Sequence, residues 1–191
     1  MTAQIDVVII GGGIAGLWLL DKLQRSGIEA LVLNDAALGQ GQTIASQGII
    51  HGGTKYTFGM GFETTVSDLG KMPDHWRQCL SGRRGPDLTQ VPPLAKSMGM
   101  WVPTQLGGKL LSAFSKKIMR GRMREVHPNN WPDILQPDNT GTYFDLDEMV
   151  IDVPGVLGLL RDRYKDRIRQ IPEGAHLEVQ HHCSGTVEIG L

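Results

Sequence analysis

Apolar residues fill the stretch from Ile5 to Ile10 apart from Asp6, and a short, β-branched, nearly continuous run of this kind predicts a parallel strand covered on both faces. Glycines stop it at once. From Ile14 to Gln24 the apolar positions Ile14, Leu17, Leu20 and Leu23 recur at helical spacing, and Ser26-Gly27 supplies the stop. A second strand, Ala30 to Leu33, follows, so the chain opens as strand, helix, strand.

Further on, Phe62, Val66, Leu69, Met72, Trp76 and Leu80 lie on one helical stripe, which predicts a core-facing helix that Pro73 either kinks or restarts. Gly82 to Pro93, rich in Gly, Pro and charge, reads as a surface connection into a second subdomain. Met98 to Val102 reads as a strand and Leu106 to Met119 as a helix. Pro154 suits the first turn of another helix, with Leu157, Leu160 and Tyr164 inward and an end near Arg163 or Tyr164. Leu177, Val179, His181 and Cys183 alternate, Ser184-Gly185 offers a turn, and Val187, Ile189 and Leu191 alternate again, as in a hairpin.

Composition narrows the partners. The 191 residues are 40% hydrophobic, enough for a substantial core. Nineteen Lys plus Arg against 20 Asp plus Glu give no global field for nucleic acid, so a small-molecule substrate is expected. The basic run Lys116, Lys117, Arg120, Arg122, Arg124 has no interleaved aromatics and reads as a solvated helix face. No transmembrane segment is expected, because four glycines interrupt the apolar stretch from Val7 to Leu20 and no Lys or Arg precedes it. Two cysteines, Cys79 and Cys183, exclude a disulfide framework and fit a cytoplasmic location. His181-His182-Cys183 carries ligand-type side chains, but neighbours on a strand point to opposite faces, so no metal site is expected.

Gly11-Gly12-Gly13-Ile14-Ala15-Gly16 fits GxGxxG at Gly11, Gly13 and Gly16, with a strand before it, a helix after it and a second strand ending about twenty residues on. In that context Gly11 makes the tight turn, Gly13 lets the backbone approach a pyrophosphate, and Gly16 lets the helix pack close to the strand. Helix N–H groups, those of Ile14 and Ala15 among them, and the helix dipole then face the phosphates. Where a carboxylate usually accepts from the adenosine ribose, the chain has Asn34 followed by Asp35, and either could serve.

The stretch from Gly41 to Tyr56, GQTIASQGIIHGGTKY, resembles the second FAD contact of the D-amino-acid oxidase and glycerol-3-phosphate dehydrogenase superfamily. The resemblance implies that Gln42, Thr43, Ser46, Gln47, Gly48 and Ile49 belong to a hydroxyl-rich loop that wraps the pyrophosphate and ribityl chain and runs beneath the flavin. It is closest to the glycerol-phosphate branch at Ile50-His51-Gly52-Gly53 and Lys55-Tyr56. That branch carries Arg and Lys where this chain has Ala45 and Gly48, which argues against glycerol 3-phosphate as the substrate. Asp152-Val153-Pro154 resembles the family's lead into its returning helix. Structural alternatives stand beside these roles: Thr43 and Ser46 as helix caps, His51 as a core histidine.

The expected fold is α/β: a Rossmann-like FAD-binding domain with part of an α+β substrate domain, truncated at its C-terminus. The expected division is residues 1–82 for the dinucleotide-binding βαβ region, 83–150 for a partial substrate (cap) domain, and 151–191 for a helix and hairpin returning to the first domain. The expected function is an FAD-dependent oxidoreductase that takes a hydride from an amine- or hydroxyl-bearing carbon, with His51 and Lys55 as candidate catalytic residues. The alternatives are a non-catalytic nucleotide-binding fragment and an NAD-dependent dehydrogenase, which has no need of the stretch from Gln42 to Gly48. An incomplete sheet edge is expected to promote association.

Overall fold

The computed structural model describes residues 5–52, 70–104, 123–135, 140–172, 178–181 and 187–190. In chain order its elements are β1 (Val7–Ile10), α1 (Ile14–Arg25), β2 (Ala30–Asn34), β3 (Ile49–Ile50), α2 (Met72–Leu80), β4 (Met98–Pro103) and β5 (Met123–Glu125). There follow β6 (Gly141–Leu146), β7 (Met149–Val150), α3 (Val153–Arg163), β8 (Ile168–Gln170), β9 (Glu178–His181) and β10 (Val187–Gly190). They divide into two compact units, Met1–Ser46 with Val153–Leu191, and Gln47–Asp152, so that the second is inserted within the first.

In the first unit β1 and β2 run parallel, Val7 opposite Ala30 and Ile10 opposite Leu33, as the run of branched residues predicts. β8 adds to β2 in parallel and gives the order β1-β2-β8. Ile9, Leu20, Ala30 and Val32 form the buried centre, with Val7, Leu23, Tyr164 and Ile168 packed against it. The helical spacing of α1 places Leu17 and Leu20 wholly inside, each contributing about 1.5–3 kcal/mol by burial. Val156, Leu157 and Leu160 do the same for α3, whose Pro154 falls in the first turn, where its missing N–H costs no helical bond. The predicted hairpin is present as the antiparallel pair β9–β10, with His181 opposite Val187. The turn Ser184-Gly185, His182 and Cys183 lie outside the described residues.

In the second unit β4, β6 and β5 form an antiparallel sheet in that order, Met98 and Met123 both opposite Leu146. Val102, Phe144 and Leu146 are buried. Trp101 meets Trp131 edge to face at 5.1 Å. β3 and β7 pair antiparallel, Ile49 opposite Val150. Three sequence expectations need correction here. Pro73 begins α2, the second of its two expected roles, because its ring is tolerated in a first turn, but the stripe differs from the expected one: Trp76 is buried with Pro73 and Cys79, whereas Met72 is exposed. The connection from Gly82 to Pro93 is not all surface, since Leu88 is fully buried and Val91 nearly so. Arg124, read as part of a helix face, lies on β5 and pairs with Asp145 at 3.1 Å. The expected helix from Leu106 to Met119, the rest of the basic run, and Phe62, Val66 and Leu69 lie outside the described residues. Among the described residues no helix is long and apolar enough to cross a membrane, and no group of His, Cys, Asp or Glu could hold a metal ion.

One polar group sits inside the apolar face of α1. Asp21 is 0% exposed and accepts from Arg25 Nε at 2.7 Å, from Tyr164 Oη at 2.9 Å and from Arg163 at 3.5 Å. A buried carboxylate is tolerable only when so bonded, and these donors fasten α1 to the end of α3. Burial first, then the hydrogen bond to Asp21, push the Tyr164 hydroxyl from 10.0 up to about 12. Below pH 10 both folded and unfolded chains hold this proton. As pH rises from there the unfolded chain loses it first, so the contribution of Tyr164 to stability is lost between about pH 10 and 12. Tyr164→Phe should lower stability near neutral pH by about 2 kcal/mol, the worth of a hydrogen bond to a charged group. Denaturant unfolding from pH 9 upward should show the gap between the two proteins closing across that window; a constant gap would contradict the assignment.

Candidate functional site

The ladder of β1 ends with the N–H of Gly11 donating to Leu33 C=O at 2.8 Å, and the backbone then turns through φ +106° at Gly11, a conformation that needs glycine. Gly13 caps α1 from extended backbone and offers no side-chain cap. The cap comes from 29 residues away: Thr43 Oγ1 accepts from the N–H of Ile14 at 3.1 Å. The N–H groups of Ala15 and Gly16, next in the first turn, meet no acceptor among the described residues. Unpaired helix N-terminal donors beside a hydroxyl and a side-chain-free backbone are the donor set that a phosphate takes up.

Sequence reasoning missed Gly12, the variable position of the motif. A Cβ there would collide with the end of the Leu38 side chain and come within 2.9 Å of Asn34 Cγ, so a larger residue would have to push both side chains aside. Its N–H donates to Asn34 Oδ1 at 2.8 Å and its C=O accepts from Gly39 N–H at 2.9 Å. Asn34 Nδ2 donates to Ala36 C=O. The Asn34 side chain is thus committed on both its polar ends to the protein, whereas Asp35 is exposed at the end of β2.

The loop after β2 is held by its own bonds. Ile44 N–H donates to Gly39 C=O at 2.9 Å, Ala45 N–H to Gly41 C=O at 3.1 Å, and Ser46 Oγ to Thr43 C=O at 2.8 Å. Thr43 therefore does cap a helix, namely α1, while Ser46 closes a local turn and Gln42 is exposed. Gln47, Gly48 and Ile49 belong to the second unit, where Gly48 C=O accepts from Ile151 N–H at 2.9 Å and Ile49 opens β3.

His51 also belongs to the second unit. Its Nδ1 lies 3.0 Å from Glu148 Oε2, and Gly52 N–H donates to Glu148 Oε1 at 3.1 Å. The β3–β7 register, continued by one residue, brings His51 opposite Glu148. Glu148 is 4% exposed and was not foreseen from the sequence, since 97 positions separate it from His51. Lys55 lies outside the described residues.

Two substitutions separate packing from binding in the glycine turn. A Cβ at Gly16 would drive into the Gly11 carbonyl oxygen, so Gly16→Ala should cost about 1–3 kcal/mol in a denaturant titration and weaken nucleotide binding with it. A Cβ at Gly13 meets only Thr43 Oγ1, at 3.1 Å. Gly13→Val should leave the fold intact and abolish ADP binding measured calorimetrically. Unchanged ADP affinity in the folded variant would contradict the site.

Residues 6–171 match the sequence profile of the family described as FAD dependent oxidoreductase. A probable FAD-dependent oxidoreductase of Pseudomonas aeruginosa is 36% identical over 179 residues, covering 90% of this chain and 46% of its own length. The crystal structure of an FAD dependent oxidoreductase from the same organism superposes with a TM-score of 0.70 at 30% identity, covering 95% of this chain and 42% of that one. Glycine oxidase from Geobacillus kaustophilus shares the fold, with a TM-score of 0.66 at 14% identity over 98% of this chain and 51% of its own. This chain thus spans somewhat under half the length of the curated relative it matches. With a profile match over residues 6–171, most of its length, the chain belongs to the FAD dependent oxidoreductase family.

Proposed function

We propose that the chain supplies the ADP-binding part of a Rossmann-like flavoprotein that oxidises a small molecule at a carbon bearing an amine or a hydroxyl. The observation that carries this reading is the α1 N-terminus, where Ala15 and Gly16 present N–H donors beside the Thr43 hydroxyl and the bare backbone of Gly13. Bound FAD would supply the hydride acceptor, and the protein's task is to bind and orient it. Gly11, Gly13, Ile14, Ala15 and Gly16 face the pyrophosphate in this reading, with Gln42, Thr43 and Ser46 on the adjoining loop and Gln47, Gly48 and Ile49 where that loop enters the second unit. Asp35 takes the adenosine ribose hydroxyls, because Asn34 is spent on Gly12 and Ala36.

His51 is the proposed proton acceptor, supported by the carboxylate beside its Nδ1; Lys55 is the second candidate. Residues 83–150 are assigned to the substrate domain. The near balance of 19 basic and 20 acidic residues supports a small molecule over nucleic acid as the partner. Cys79, buried, in no disulfide among the described residues and with its thiol donating to Gly85 C=O at 3.4 Å, supports a reducing, cytoplasmic setting. Among the described residues β1 bonds to β2 alone, and Ile10 is 70% exposed, which supports association through that strand's outer edge.

Titration of the purified chain with FAD, ADP and NAD tests the binding half of this reading. FAD and ADP should compete for one site, and Asp35→Ala should raise the ADP dissociation constant roughly tenfold, the worth of a charge-assisted bond to a hydroxyl. NAD binding that is tighter than FAD binding would overturn it. Anaerobic addition of an amino-acid and a 2-hydroxy-acid panel to the flavin-loaded protein tests the chemical half, which fails if neither class bleaches the flavin.

A further inference from the structure

We propose that Glu148 is a positioning residue that fixes the ring of His51 in one tautomer, with the hydrogen on Nδ1 and Nε2 left as the acceptor. The placement is built into the backbone. β3 and β7 are paired through Ile49–Val150 and Ile50–Met149, so the next residue on each strand faces the other, and these are His51 and Glu148. A sharp turn feeds Glu148 into that register, its own N–H donating to Leu146 C=O at 2.8 Å. Arg77 on α2 bonds to Asp147, the residue before it, and to Asp74 at 2.8 Å, so the turn is anchored from outside the pair.

The chemistry follows from what a carboxylate can do. An ionised carboxyl group accepts and never donates, so a ring nitrogen 3.0 Å from Glu148 Oε2 must carry the hydrogen between them. The second oxygen is taken by the N–H of Gly52, a donor that cannot change its role. With Glu148 at 4% exposure, water competes poorly for either oxygen, while the His51 side chain keeps 31% of its surface open. A neutral ring held this way can take up one proton, at Nε2, and the imidazolium so formed faces a carboxylate on its other side.

The same accounting gives an unusual outcome for Glu148→Gln. The amide has one accepting and one donating end, and Gly52 N–H claims the accepting end. The NH₂ group must then donate to Nδ1, which moves the ring hydrogen to Nε2 and removes the acceptor without changing the shape of the pair. An amide in place of the orienting carboxylate of a catalytic triad acts likewise, keeping geometry but imposing the wrong tautomer at a cost of about 10⁴ in kcat.

This inference gives a reason for the proposed role of His51 and rests on that role for its importance, but the tautomer is a property of the chain without flavin or substrate. The test is a long-range ¹H–¹⁵N correlation spectrum of the ¹⁵N-labelled chain with the ring neutral, the His51 signals identified by their loss in His51→Gln. The hydrogen should be on Nδ1 in the unaltered chain and on Nε2 in Glu148→Gln, with the backbone amide spectrum otherwise retained. A neutral ring carrying its hydrogen on Nε2 in the unaltered chain overturns the proposal, and so does a folded Glu148→Gln that keeps the original tautomer. If that variant does not fold, the unaltered chain still decides. FAD titration of the same samples keeps the two readings apart: absent FAD binding counts against the proposed function and leaves the tautomer result standing.

Discussion

The peptide group of Gly12 is held from both sides, its N–H by the Asn34 amide at 2.8 Å and its C=O by Gly39 N–H at 2.9 Å. Through these two bonds the turn between β1 and α1 is tied to the loop that leaves β2, and the loop in turn delivers Thr43 to the first N–H of α1. A side chain at position 12 would displace Leu38 and Asn34 together, so the connection and the absence of a Cβ are one requirement. The N–H donors of Ala15 and Gly16, which meet no acceptor among the described residues, owe their orientation to this arrangement, because a helix N-terminus is only as well aimed as the turn that starts it.

Among the described residues two carboxylates are buried, and they are satisfied in different ways. Asp21 gathers two guanidinium groups and a phenol and serves to join α1 to α3. Glu148 instead faces an imidazole and a backbone N–H. Desolvating a carboxylate costs several kcal/mol even after relaxation. At Asp21 the cationic partners offset that cost, and the result is mechanical. At Glu148 the partners are a neutral-capable ring on one oxygen and a backbone N–H on the other, so this carboxylate orients a side chain and a turn rather than bracing two helices.

The first unit was legible because its signals are local. Ile5 to Ile10, the glycines, and Leu17 with Leu20 each act within a few residues, and the family resemblance at Gly41 to Tyr56 reinforced them. Pairings across long separations left no such trace. Nothing near Asp21 announces Tyr164, 143 positions on, and nothing near His51 announces Glu148. β6 escaped notice although Tyr143, Phe144, Asp145 and Leu146 alternate in burial, because a six-residue strand between turns offers too few periods to stand out. Gly12 escaped for another reason: the motif leaves that position open, and only the neighbours brought in by the fold, Leu38 and Asn34, close it.

The pairing of β3 with β7 reaches further than the residues it orients. The second unit leaves the first after Ser46 and rejoins it at Val153, and its two ends are zipped to each other by the Ile49–Val150 and Ile50–Met149 pairs and by the bond from Ile151 N–H to Gly48 C=O. A domain whose ends meet is a cassette: it asks of its host only a gap the width of one strand pair, which any surface loop can provide. The host, by contrast, is discontinuous, and β8 cannot take its place beside β2 until the whole of the insert has been made by the ribosome. During synthesis the β1-β2-β8 sheet, although it begins the chain, can therefore be joined up only after the insert has been made.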